Sequence, residues 1–220
     1  KAPWFSLQSL ISEASNEVVI KLLKYSAVVF TIAICTPVAH IFIRSYIGDS
    51  LGINYGGYWE GMFRLSSAYL MFFTTTLSFY FLPKFSELKS RTSIRKELAT
   101  GYKLILPVVS ILGFCFYLFR DFLIVLLFDE SFLPMASIFG WQMVGDTIKI
   151  AGWILAYIAT AKAFTSLLVF SEIIINFILA FLMVVLLENF GLRGAGMAHA
   201  ATYTIYFLVM FFSLKHKEYI

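Results

Sequence analysis

The sequence predicts an all-α membrane protein built as a six-transmembrane-helix bundle, and three observations predict it. Of the 220 residues, 60% are hydrophobic and only 14% charged, against about 45–50% and ~25% in soluble domains. The apolar residues are gathered into runs of roughly 18–25, and at ~1.5 Å of rise per residue each run is long enough to cross ~30 Å of hydrocarbon. Between the runs the chain is short and polar. Unpaired backbone is too costly in lipid, so the runs are helices rather than strands.

The six spans fall at about residues 24–47, 58–82, 101–119, 136–160, 164–187 and 197–214. The second ends where Pro83 interrupts the helical ladder. The run FLIVLLF, Phe122 to Phe128, is too short to span and is bracketed by Arg120 and Asp121 before it and Asp129 and Glu130 after it. It reads as a separate interfacial helix. Residues 84–103 form the longest polar stretch, read as a basic loop. Residues 1–23 lead from the cytoplasm into the first span, residues 24–214 form the transmembrane lobe, and residues 215–220 are a cytoplasmic tail.

Charge gives the orientation. Twelve of the 17 basic residues fall on one side: Lys1, Lys21, Lys24, Lys84, Lys89, Arg91, Arg95, Lys96, Lys103, Lys162, Lys215 and Lys217. Arg44, Arg120 and Arg193 fall on the other. The bias puts both termini of the segment in the cytoplasm. The net charge of +4 is therefore a topology signal, and no nucleic-acid partner is expected. Cys35 and Cys115 stand alone inside apolar runs, without metal or disulfide spacing. No GxxxxGK[ST], HExxH or CxxC motif is present, the connections on the outer side are small, and no cofactor or metal is expected. These features count against an enzyme.

The remaining two basic residues, Arg64 and Lys149, lie within the spans. A charge at the bilayer centre costs about 2.5–3.5 kcal/mol even on insertion scales, so these groups must face protein or water. In the fourth span Gln142, Asp146, Lys149, Trp153 and Tyr157 recur at intervals of four, three, four and four, which places them on one helix face. In the second span Glu60, Arg64, Ser67, Met71, Thr74 and Ser78 repeat the pattern. Stripes of this length, containing Arg, Lys, Trp and Tyr, suit the wall of a water-filled cavity better than a helix contact, which favours small residues. Arg64 and Lys149 suit a diphosphate. Trp153 and Tyr157 suit sugar rings, with Gln142 and Glu60 supplying polar contacts. Asp146 and Glu172 either carry a coupling proton or neutralise the two cations. His40, Asn176 and His199 read as hydrogen-bonding glue between helices.

Four stretches then resemble one family. They are YFLPKFSEL (Tyr80 to Leu88), LFRDFLIVLLFDESF (Leu118 to Phe132), WQMVGDTIKIAGWILAYIATAK (Trp141 to Lys162) and GLRGAGMAHAATYTIYF (Gly191 to Phe207). In this order they resemble the C-terminal half of Wzx-type O-antigen and enterobacterial common antigen flippases, within the multidrug/oligosaccharidyl-lipid/polysaccharide exporter superfamily. The resemblance implies one lobe of a two-lobed, twelve-helix exporter in the bacterial inner membrane. It implies an undecaprenyl-diphosphate-linked oligosaccharide as cargo, alternating access, coupling to an ion gradient, and polysaccharide polymerase machinery as a neighbour. By that resemblance Asp146 and Lys149 fall on positions of the family's tenth helix and Arg64 on its eighth. A missing N-terminal six-helix lobe is expected, with two paired halves as the other arrangement. A drug or cation antiporter of the same superfamily and a membrane glycosyltransferase or O-antigen polymerase are the rival readings.

Overall fold

A computed structural model of the chain describes residues 16–220. The lead-in segment expected at residues 1–23 therefore lies mostly outside the described residues. All the regular elements described are helical. Helix α1, Asn16–Leu51, passes through Pro37 and ends at Gly52. Gly52 has φ 114°, a conformation that L side chains rarely adopt, so a single residue reverses the chain. Helix α2 then runs over Ile53–Glu87. The outward loop expected around residues 48–57 is thus reduced to one glycine.

Helix α2 does not end at Pro83. A π-turn at Leu77–Phe81 loosens the ladder just ahead of the proline, and the helix continues as Leu82–Glu87. A proline is tolerated where the i→i−4 pattern is already broken. Helix α3, Arg91–Leu118, begins at Ser90, whose hydroxyl accepts from the Ser93 N–H. The basic loop expected at residues 84–103 is mostly helix as a result. Ile94, Leu98 and Ile105 recur on one face and are buried, and that apolar face holds the segment helical despite its charges. Lys162 Nζ donates to the Leu88 carbonyl at 2.6 Å, tying the α2–α3 connection to the bundle.

Helix α4, Arg120–Leu127, is a separate short helix, broken from α3 at Phe119, as the charge bracketing predicts. The Asp129 carboxylate accepts from the Ser131 N–H at 2.7 Å and opens a 3₁₀ turn at Glu130–Met135. That contact holds the Asp129 carboxyl below the usual carboxylate range. Its stabilising effect is present above the ordinary carboxylate pKa and is lost as pH falls through the depressed value.

Helices α5 (Ala136–Ala161), α6 (Thr165–Phe190) and α7 (Leu192–His216) complete the chain. Helix α5 is the hub. It packs most extensively on α7 and also on α3 and α2, while α6 joins α7 to α1. Among the described residues five helices are long and apolar enough to cross a membrane: α1, α2, α3, α6 and α7. Six were expected. Helix α5, at 26 residues, has the length, but Gln142, Asp146 and Lys149 lower its apolarity. The protein is a multi-pass, all-α membrane protein. Phe72, Phe79, Ile41 and Phe177 project from its perimeter, each more than 70% exposed, which suits lipid contact and would be costly in water.

Candidate functional site

The polar face of α5 divides between two settings. In the first, Asp146 is fully buried. The Tyr69 hydroxyl of α2 donates to its Oδ2 at 2.7 Å, and His199 Nε2 of α7 lies 2.8 Å from its Oδ1. Gln142 Nε2 donates to Ser66 Oγ at 3.1 Å and more weakly to Asp146 Oδ1 at 3.4 Å. With His199 Nε2 donating to Asp146, Gln142 does not also donate to that ring nitrogen, although the two nitrogens are only 3.2 Å apart. The acid is thus held by three donors from α2, α5 and α7 in a buried knot, on one side of which Gln142 and His199 line a hollow of about 20 Å³ with His40, Phe63 and Tyr203. Burial of a carboxylate is tolerated when its lone pairs are occupied in this way.

In the second setting Lys149 is 7% exposed and forms no salt bridge among the described residues. Its Nζ lies 4.8 Å from the Trp153 ring centroid and 4.7 Å from that of Tyr203. A cation over two aromatic faces gains roughly 0.5–2 kcal/mol from each. Lys149 lines a cavity of about 380 Å³ together with Thr36, His40, Ser67, Glu172, Asn176, Thr202 and Tyr203. Thr202 Oγ1 is buried there without a hydrogen-bond partner among the described residues. A second cleft of about 360 Å³ adjoins it and contains Tyr157, Thr74 and Thr160. Trp153, Glu172, Ile32 and Tyr206 belong to both. The Tyr157 hydroxyl also meets that of Ser78 on α2 at 2.5 Å. Glu172 accepts from Thr36 Oγ1 and Asn176 Nδ2, each at 2.9 Å, and so bridges α1 to α6 at the cavity wall.

The expected site residues therefore fall into three groups. Lys149, Trp153, Tyr157 and Glu172 share the paired clefts. Asp146 lies in the buried knot instead of on an open wall, and Gln142 stands between the knot and the small hollow beside the Lys149 cavity. Arg64 and Glu60 pair with each other at 2.8 Å, with the Arg64 side chain 73% exposed, and neither lines either cleft. Arg64 and Lys149 are thus not brought together around one space, as the sequence reading expected. Phe63 and Ser67, which do line the cavity, flank Arg64 on α2 and put it at the margin.

Of the residues read as glue, His199 is part of the knot. His40 instead lines the cavity, and its ring packs edge-on against Phe63 with centroids 4.1 Å apart. Sequence reasoning missed Tyr69 and Ser66 as site members, and it read Thr36, Thr202 and Tyr203 only as polar residues of the first and sixth spans, without a role in the site. Tyr203 and Thr202 were signalled by their spacing from His199 and Tyr206, whereas Ser66 and Tyr69 lie off the polar stripe of α2. It also counted no G-x-S-x-G motif, whereas GDSLG at residues 48–52 has that spacing. A nucleophile elbow requires a strand-to-helix turn. Here Ser50 sits in the last turn of α1, and among the described residues it makes no bond to a histidine.

No protein-family model matches the chain, and no solved structure matches it. Two curated relatives do: the Lipid III flippases of Escherichia coli (strain K12) and of Shigella flexneri. Each is 33% identical over 187 residues, covering 85% of this chain and 45% of the relative. The chain thus spans about half the length of the curated relatives it matches. Both relatives are named as transporters, in keeping with the expectation of a transport protein and not an enzyme. Over those 187 residues the chain is a homologue of the Lipid III flippases.

Proposed function

We propose that this chain is one lobe of a two-lobed flippase that carries a lipid-linked oligosaccharide across the bacterial inner membrane by alternating access. The cargo class is an undecaprenyl-diphosphate-linked O-antigen unit or a related repeat. One observation carries the proposal: Lys149 is a deeply placed cation with no carboxylate in salt-bridge contact among the described residues, and it faces a cavity large enough to admit part of a ligand. An ammonium at that depth is satisfied when a phosphate oxygen enters, and the unpartnered Thr202 hydroxyl supplies a further donor. Trp153, Tyr203 and Tyr206 offer flat surfaces for sugar rings. The polar stripe of α2 from Glu60 to Ser78 is largely exposed and would form the wall facing a second lobe, with Arg64 at the rim. Glu172 shares this space, but a small-cation antiporter would not set a lysine beside that carboxylate. Residues 24–214 would form the lobe, with both flanks cytoplasmic.

The test is binding of undecaprenyl-diphosphate-linked oligosaccharide to the full-length protein in nanodiscs. Lys149→Ala is expected to weaken binding about 10- to 100-fold, the equivalent of one charge-assisted contact of roughly 1.5–3 kcal/mol. Unchanged affinity in a folded Lys149→Ala protein would sink this assignment. Glu172, open to both clefts, is the acid we assign to coupling. Glu172→Gln is expected to retain cargo binding and lose acceleration of transport by a proton gradient. Transport by the variant that still follows the gradient would transfer that role to another group.

A further inference from the structure

We propose that the face of α5 turned away from the Lys149 cavity carries a binding groove for an anionic phospholipid of the adjacent leaflet. Two hollows lie along it, one between α3 and α5 and the other where α5 meets Tyr117 of α3, Arg120 of α4 and Arg193 of α7. The deeper one, about 470 Å³, is lined by Gly113, Phe114, Met143, Val144 and Ile148. The shallower one, about 520 Å³, is lined by Arg120, Ser137, Trp141 and Arg193. They share Tyr117, Gly140 and Val144, so they are continuous. At 3.6 residues per turn Gly140, Val144, Thr147 and Ile148 fall roughly opposite Lys149 and Trp153 on α5, so this groove is separate from the proposed cargo space.

Charge is segregated along the groove. The deep part is apolar, and glycines at 113 and 140 make the room: a Cβ at either position would already touch Met143 or Tyr117 at 3.4 Å. The shallow part ends in two guanidinium groups. Arg120 stacks over the Tyr117 ring at 4.7 Å and donates one Nη to the Tyr117 carbonyl at 2.9 Å. Its Nε is paired only loosely with Asp121, at 3.7 Å. The other Nη bonds nothing among the described residues, and Arg193 forms no salt bridge among them. Both arginines stand at helix ends, Arg120 opening α4 and Arg193 in the first turn of α7, at the level where α5 begins.

Length identifies the occupant. From Ala136 to Ile148 is about 18 Å of helix rise, close to the ~15 Å depth of one leaflet. An acyl chain lying from the arginines inward would end where the groove ends, with its phosphate between the two guanidinium groups and Trp141 at headgroup level. A zwitterionic lipid would satisfy the apolar part and leave the positive charge uncompensated.

The experiment uses the full-length protein in nanodiscs of phosphatidylcholine doped with an equal fraction of either brominated phosphatidylglycerol or brominated phosphatidylcholine. Quenching at Trp141 is isolated as the difference between the protein and its Trp141→Phe variant. The expected result is quenching by the anionic lipid at about one-tenth of the mole fraction needed with the zwitterionic one, the preference conferred by two surface-level arginines. Arg120→Gln with Arg193→Gln should abolish the preference while retaining quenching. Val144→Phe, at an exposed position that leaves the core untouched, should remove quenching by both lipids. Equal quenching by the two lipids in the unmodified protein overturns the proposal. So does a preference that survives loss of both arginines, and so does an unquenched Trp141, which would mean that protein covers the groove.

Discussion

Gly194→Ala is expected to destabilise the bundle more than any other single added methyl group. A Cβ at Gly194 would lie 2.1 Å from the Leu186 carbonyl oxygen and 2.5 Å from its carbon. Those are backbone atoms of the preceding helix, so no side-chain rotation relieves the overlap. The α6–α7 hairpin must open, and because α7 packs along both α5 and α6 the opening propagates to the hub. Overpacking of a tight contact costs typically 1–3 kcal/mol and occasionally more; here about 3 kcal/mol or above is expected. Gly145→Ala should follow with a smaller loss, because its Cβ would meet His199 Cδ2 at 2.4 Å and Ala200 backbone at 3.0 Å, where α7 crosses α5. Gly57→Ala is the control. It lies within α2 with nothing within 4 Å of the added carbon, and alanine there should add roughly 0.5–1 kcal/mol of stability. Thermal unfolding in one detergent ranks the three. A Gly194→Ala protein that melts with the parent would mean that the hairpin is not closed as described.

The sequence made the helices legible because their signal is local: an apolar run of spanning length has few alternatives in a membrane. Helix α4 was legible for the same reason, since charges bracket a run too short to span. Boundaries were less readable where compensation comes from elsewhere. Pro83 reads as a stop, but the π-turn ahead of it adapts the ladder, and residues 91–103 read as loop because their charges outnumber the buried Ile94 and Leu98. In the candidate site, spacing marked out a polar face of α5 but not its division. A stripe from Gln142 to Tyr157 spans enough arc and length for different helices to pack against its two ends. Which helices these are depends on contacts 50 to 80 residues apart in the chain, such as Asp146 with Tyr69 and His199. No periodicity within a single helix encodes that choice.

The second large effect concerns the division itself. Asp146→Ala is expected to cost about 3–5 kcal/mol, the range for breaking a buried ionic or hydrogen-bonded pair by removing one partner. The loss follows from what remains, since Tyr69, His199 and part of Gln142 would then lose their shared acceptor in a buried setting. Asp146→Asn keeps the shape and one acceptor oxygen, so it should cost less, about 1–2 kcal/mol. His199→Ala leaves the carboxylate with its Tyr69 and Gln142 contacts. In a double-mutant cycle with Asp146→Ala it should show a coupling of roughly 1–3 kcal/mol, because each single change has already forfeited the shared bond. Binding discriminates further. Lys149 is not salt-bridged to Asp146, so a folded Asp146→Asn protein should bind cargo within about twofold of the parent, whereas Lys149→Ala should lose about tenfold or more. If Asp146→Asn instead abolishes binding without loss of stability, the acid belongs to the ligand space and the knot between α2, α5 and α7 opens during the cycle. If Asp146→Ala costs less than about 0.5 kcal/mol, within the range of an ordinary surface change, the three donors are not what keeps that carboxyl buried.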